Sequence, residues 1–226
     1  MNKICLLSLA FIVMCLSCGK KKKNSNLAQN YYKMALLELS DGHGDEWANK
    51  KALGCIENAI QQEKKAEYVA MKATLLFRLG QEQESDYCFK EALQLCEGAG
   101  SLKTEILNNY ACLLVTIGRG EQALSIWKDL ENNRNYLTPE VALVNQGKFY
   151  AMNNNVEKSK KCFSKAIYLS PNFLDAHYYL ALVSYSSGDL STTKNELKTV
   201  LFLDSEHDGA KQFLQQVFHE DLKQVT

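Results

Sequence analysis

The stretch Leu107-Asn-Asn-Tyr-Ala-Cys-Leu-Leu-Val-Thr-Ile-Gly118, with its continuation to Pro171, decides how this chain is read. Leu107, Tyr110, Ala111, Leu114, Gly118, Ala123, Trp127 and Leu130 form one set of offsets. Leu143, Gln146, Gly147, Tyr150, Asn154, Ser159, Phe163 and Ala166 repeat those offsets 36 residues later, and Pro171 closes the second copy. In each copy a large residue, a small one and an aromatic fall on one helical face. A second helix then presents small, aromatic and small residues. The small residues allow two helices to approach closely, and the aromatics fill the spaces between successive pairs.

A period of this length with this alternation is the two-helix signature of a tetratricopeptide repeat. Working outward, a further unit carries Val69, Lys72, Ala73, Leu76, Gly80, Ser85, Phe89 and Ala92, with Lys72 at a place that is usually apolar. A last unit carries His177, Leu180, Ala181, Gly188, Thr193, Leu197 and Val200. The first unit is the least regular: Tyr31, Met34 and Ala35 open it, and Ala52, Ile56 and Ala59 carry its second helix. Between them Ser40 to Asp45 is longer than a usual turn, and Trp47 just after it is expected to pack on the helix pair. Equivalent second-helix positions (Ala59, Ala92, Leu130, Ala166, Val200) are 33, 38, 36 and 34 residues apart. The longer spacings put extra polar, turn-rich residues at Glu97 to Ser101 and Asn132 to Pro139. Gly80, Gly118, Gly188 and Asn154 stand where the chain needs a left-handed residue between helices.

Ala210, Phe213, Leu214, Val217, Phe218 and Leu222 make an apolar stripe at helical spacing, the mark of a helix that covers the last repeat. The expected fold is all-α: a tetratricopeptide-repeat superhelix of about five helix pairs plus a C-terminal capping helix. The expected domains are a lipoprotein signal peptide over 1–17 and a lipidated cysteine with a basic tether over 18–27. The repeat domain would occupy 28–205, and the capping helix and tail 206–226. Two prolines in 226 residues leave long helices uninterrupted.

Charge is unevenly spread. The 26 basic and 26 acidic side chains balance, but residues 1–27 hold five lysines and no acid, so the remainder carries about −5. No basic face for nucleic acid is expected from that balance. The N-terminus begins with Lys3 and an apolar run from Ile4 to Leu16, thirteen residues against the ~20 that span a bilayer, which fits a signal segment. Leu16-Ser17-Cys18-Gly19 resembles a bacterial lipobox, with Cys15 where leucine is usual, and implies acylation (palmitate included) at Cys18. Lys20 to Lys23 and Asn24-Ser25-Asn26 then read as a polar tether. Gly19 after the cysteine resembles lipoproteins sorted to the outer membrane, facing the periplasm.

Cys55, Cys88, Cys96, Cys112 and Cys162 follow the signal, with no CxxC pair; Cys55, Cys88 and Cys162 recur at one second-helix offset, too far apart for ladder-wise disulfides. His43, His177, His207 and His219 sit in different elements, and His177 takes a packing position. Neither a metal site, a cofactor site, a small-molecule substrate nor a catalytic constellation is expected, so the chain reads as a binding protein and not an enzyme.

The inner face of the first helices is the expected binding groove. Its residues are Tyr32, Leu36 and Leu39, then Ala70, Thr74 and Phe77, then Asn108, Cys112 and Val115. Val144, Lys148 and Met152 follow, and Tyr178, Leu182 and Tyr185 close the row. This lining is apolar and aromatic with one lysine, suited to an amphipathic helix or an extended protein segment; the capping segment or the tether is the other occupant to weigh. Leu107-Asn108-Asn109-Tyr110-Ala111, Gly118-Arg119, Gln122-Ala123, the loop with Tyr136 and Pro139, and Val144-Asn145-Gln146-Gly147 resemble the PilF/PilW lipoproteins, the tetratricopeptide pilotins of type IV pilus biogenesis. The resemblance implies a lipid-anchored adaptor that binds a secretin subunit and helps it assemble in the outer membrane. An adaptor for another envelope assembly or secretion machine is the alternative.

Overall fold

The computed structural model describes residues 24–41, 45–98 and 100–225. Among these residues the chain is all-α, with eleven helices: α1 (Ser25–Asp41), α2 (Glu46–Gln62), α3 (Ala66–Arg78), α4 (Glu82–Leu95), α5 (Ser101–Thr116), α6 (Gly120–Glu131), α7 (Pro139–Met152), α8 (Val156–Leu169), α9 (Leu174–Ser186), α10 (Leu190–Leu203) and α11 (Asp208–Val225). Paired helices with repeat-type turns make this a tetratricopeptide-repeat fold. The expected signal segment, with Cys18 and the lysine run, lies outside the described residues. Helix α1 begins at Ser25, so residues 25–27, read above as tether, are its first turn; Asn24 Oδ1 accepts from the Leu27 N–H at 3.0 Å and caps them.

The chain divides into two compact units at Gln81 and Glu82. In the first, α1 packs on α2 and α2 on α3. Ala35, Ala52, Ile56 and Leu75 form its core, with Tyr32, Leu39 and Leu53 against them. Asp45 starts α2 by accepting from the Ala48 N–H at 2.6 Å. Lys72 is accommodated at its apolar position by Glu57 of α2, 2.8 Å away. Trp47 departs from expectation: it is 67% exposed, with Lys51 Nζ 5.3 Å from its ring. The first turn of α2 directs Ala48 and Asn49 inward, which leaves Trp47 outside.

In the second unit each helix from α4 to α11 packs on the next, and the alternate helices α5, α7 and α9 also touch in sequence. Leu143, Val144, Phe163, Ala166, Ala176, Leu180 and Val183 form a core between α7, α8 and α9. Contact between paired helices is close enough for a hydroxyl to reach the neighbour's backbone. Ser159 Oγ donates to the Gly147 carbonyl at 2.8 Å, and Thr193 Oγ1 to the Ala181 carbonyl at 3.4 Å. Turns close as expected: Gly80, Gly118 and Gly188 have φ of 72°, 77° and 78°, and Asn154 has φ of 56°. Gly98, at φ 79°, adds one more in the extra residues before α5.

The second insertion is more than spacer. Tyr136 is buried, and its loop folds back on α5 through Thr104 Oγ1, which donates to the Asn135 carbonyl at 3.4 Å. Burial pushes the Tyr136 hydroxyl above its ordinary range, while the bond to Thr138 lowers it; Glu140, Cys112 and Glu105 add to the rise. Pro139 sits in the first turn of α7, where its missing N–H costs nothing.

Candidate partner-docking face

Among the described residues no three of His, Cys, Asp and Glu are grouped as metal ligands would be, and no helix is long and apolar enough to cross a membrane. Cys55, Cys88, Cys96, Cys112 and Cys162 are all free thiols. His177 is buried, with Nδ1 2.5 Å from Glu196 Oε2 and Nε2 2.8 Å from the Pro171 carbonyl oxygen, so one nitrogen ties α9 to α10 and the other ties it to the turn before α9.

The inner-face positions of the first unit are Tyr32, Leu36, Leu39, Ala70, Thr74 and Phe77, of which Leu39, Ala70 and Thr74 are half-buried. Tyr32 is half-buried against Tyr68, ring centroids 5.1 Å apart, and Leu36 is exposed. Phe77 is half-buried near the end of α3.

In the second unit seven of the nine inner-face positions have three different fates, and the other two, Cys112 and Val115, are half-buried on α5. Asn108 does not line a groove: it is 8% exposed, and its Oδ1 accepts from Trp127 Nε1 at 3.1 Å and from Asn145 Nδ2 at 3.0 Å. The indole N–H of a buried tryptophan needs an acceptor, and Asn108 supplies it while tying α5 to α6 and α7. Val144 is likewise in the core. Tyr178 and Tyr185 are covered by the last helix: Tyr185 meets Phe213 edge-on with centroids 5.0 Å apart, and Tyr178 lies 4.7 Å from the His207 ring and packs in the cluster with Ala210, Phe213 and Leu214. Of the occupants weighed for the groove, the capping segment takes these two positions. Val217 completes its buried side; the side chains of Phe218 and Leu222 lie outside the description.

Lys148, Met152 and Leu182 are brought together. They line an open pocket of about 410 Å³ between α7, α8 and α9, with Ala151, Phe163, Tyr179 and Val183 forming most of the rest. Asn154, Val156 and Ser186 complete its edge. Tyr179 organises it: its ring stacks on Phe163 with centroids 5.9 Å apart, and Lys148 Nζ stands 4.7 Å above it. Sequence reasoning missed Tyr179; the one signal was a second aromatic beside Tyr178. Lys148 is the only charged lining residue, and Met152, 72% exposed, stands at the rim. Cys112 of α5 is half-buried next along the face; burial raises its thiol above the ordinary range, and the Lys148 charge partly opposes the rise.

This arrangement has the make-up of a binding surface. It offers an apolar recess, adaptable at Met152, with a cation on one side.

Residues 141–173 match the family model described as tetratricopeptide repeat. No curated protein matches the chain. Among solved structures, PilW, described as a widely conserved type IV pilus biogenesis factor, superposes with a TM-score of 0.69 at 17% identity, over 87% of this chain and 93% of that one. PilF of Pseudomonas aeruginosa gives a TM-score of 0.68 at 16% identity, over 87% and 86%. YrrB, described as a TPR protein with an unusual peptide-binding site, gives 0.53 at 15% identity, over 90% and 97%. At these identities the likeness is one of fold.

Proposed function

We propose that this chain is a lipid-anchored adaptor of the outer membrane, facing the periplasm, that holds a secretin subunit during type IV pilus assembly. The observation that carries the reading is the open pocket over Tyr179, an apolar recess with one cation at its edge. Large apolar surfaces left open on a repeat scaffold are docking sites for protein segments. The signal segment and Cys18 supply an anchor, because several acyl chains on one cysteine hold a membrane as a single chain does not. Likeness in fold to PilW and PilF, whose names are tied to pilus biogenesis, directs the choice of partner. The acyl chains carry the adaptor, and the pocket carries the subunit.

Two variants test this in cells. Cys18→Ala removes the anchor and is expected to leave the secretin unassembled or misplaced, with pili lost. Leu182→Asp puts a charge in the pocket and is expected to keep the protein at the membrane but release the secretin in co-purification. Normal secretin rings in both variants, with a different set of co-purified proteins, would mean an adaptor for another envelope machine.

A further inference from the structure

We infer that the pocket between α7, α8 and α9 reads an internal partner segment that places one large apolar side chain over Tyr179 and, within a helical turn of it, an Asp or Glu against Lys148. This rests on the reading of the pocket as the docking site, and adds the chemistry it selects.

Three observations carry it. The pocket lining holds one formal charge, the Lys148 ammonium, and no carboxylate. Among the described residues Lys148 pairs with no acid of its own chain; its neighbour is the face of Tyr179, 4.7 Å away. A cation resting on an aromatic ring at an exposed site is held weakly, so a carboxylate brought in by a partner would take it over with little loss. Most of the rest of the recess is carbon: Ala151, Met152, Leu182 and Val183 surround the stacked Phe163 and Tyr179 rings, with Asn154 and Ser186 at the edge. An acid without an apolar anchor would leave this surface wet, and an anchor without an acid would leave Lys148 unanswered beside the bound segment.

The single cation also bears on the kind of segment. Lysine is a compact point charge with three rotatable donors, and holding the charged end of a chain calls for more than one such group. No second cation lines the pocket. A side-chain carboxylate along a segment fits this geometry. A volume of about 410 Å³ lies in the ~300–1,000 Å³ range of ligand sites, and its open mouth on the helix face admits a passing chain.

The test uses the full acylated chain in lipid nanodiscs and a random twelve-residue peptide library displayed on phage. The expected result is enrichment of peptides that pair Leu, Met or an aromatic with Asp or Glu three or four positions away. In Lys148→Glu, a change at an exposed position whose folding circular dichroism checks, the enriched peptides are expected to bind about tenfold more weakly, as loss of one charged contact implies. Replacing their acid by lysine is then expected to restore binding to the variant. Enrichment of apolar peptides without an acid, enrichment of none, or binding that Lys148→Glu leaves unchanged would overturn the inference. If Lys148→Glu switches the peptide preference while secretin assembly in cells is normal, the pilus role fails and the pocket's selectivity stands.

Discussion

Gly147 of α7 and Phe163 of α8 stand so close that a β-carbon on the glycine would come within 2.5 Å of the phenylalanine ring. The ring is buried and held by its neighbours: Tyr179 stacks on it, and Ser159 of the same helix reaches the Gly147 carbonyl. Gly147→Leu is therefore expected to destabilise the second unit by about 1–3 kcal/mol through overpacking. For a chain of this size that is about 2–4 °C of melting temperature per kcal/mol, read by circular dichroism at 222 nm. An unchanged melting temperature would mean that the assigned helix register is wrong.

Asn108 is expected to matter for stability before it matters for binding. Its Oδ1 answers the Trp127 indole N–H and the Asn145 amide together, and Gln146 Nε2, beside them, donates to Glu131 at 3.1 Å. Asn108→Leu leaves the Trp127 donor buried without an acceptor, a cost of about 1–3 kcal/mol. Urea unfolding followed by tryptophan emission checks it. Peptide binding at the pocket over Tyr179 is expected to persist in the folded variant.

Asn154 holds a left-handed turn at φ 56° between α7 and α8. Asn154→Gly, which removes the β-carbon that crowds the following carbonyl, is expected to be neutral or slightly stabilising, and Asn154→Ala to cost about 1 kcal/mol, because alanine keeps that β-carbon and lacks the short polar side chain that lets asparagine tolerate this conformation. Equal melting temperatures for the two variants would contradict this.

These positions show how far the sequence could be read. Packing small residues and turn residues announce themselves, because each is dictated by the backbone of its own repeat: Gly147, Gly118 and Asn154 are where the period places them. The same period assigns Asn108, Tyr178 and Tyr185 to the groove, whereas the structure buries Asn108 and packs the two tyrosines against the C-terminal segment. Asn108 is buried by needs arising on Trp127 and Asn145, 19 and 37 residues away. The two tyrosines are covered by α11, whose register on α9 and α10 no repeat sets. Tyr136 sits in an insertion, which a periodic pattern can only describe as extra length. What remained of the expected groove, Lys148, Met152 and Leu182, is the part that no neighbour claims.

Asp86 links α4 to α5 and to the turn after it: the Tyr110 hydroxyl donates to it at 2.8 Å, Arg119 lies 3.4 Å away, and Lys90 pairs with it. Burial pushes its carboxyl up, but the Lys90 and Tyr110 hydrogen bonds with the Arg119 charge outweigh that and hold it below the ordinary value. A depressed folded value means that the stabilisation is present above the unfolded value of about 3.9 and is lost as pH falls through the folded one. Asp86→Asn is expected to be less stable at pH 7 and to lose less on acidification to pH 3. Parallel stability curves for the two proteins would show that Asp86 contributes nothing to the acid limb.

Cys162 gives the alkaline counterpart. Burial on α8 and the nearby Glu131 carboxylate raise its thiol to about 11, while Lys165, Lys161 and Lys128 act the other way. Glu131 stays charged beside it: burial pushes that carboxyl up, but hydrogen bonds from Lys165 and Gln146 hold it below its usual value. A folded value raised above the unfolded one of about 8.5 contributes stability that is complete below that pH and is lost as pH rises through about 11. Cys162→Ser is therefore expected to flatten the loss of stability between about pH 9 and 11. The same shift sets reactivity. At pH 8 the thiolate fraction is small enough that alkylation by iodoacetamide is expected to be about tenfold or more slower than for an exposed cysteine, even after the greater intrinsic nucleophilicity of a high-pKa thiolate. Peptide mapping of the alkylated sites measures it, and a Cys162 that reacts as fast as an exposed thiol would mean that α8 does not bury this edge in solution.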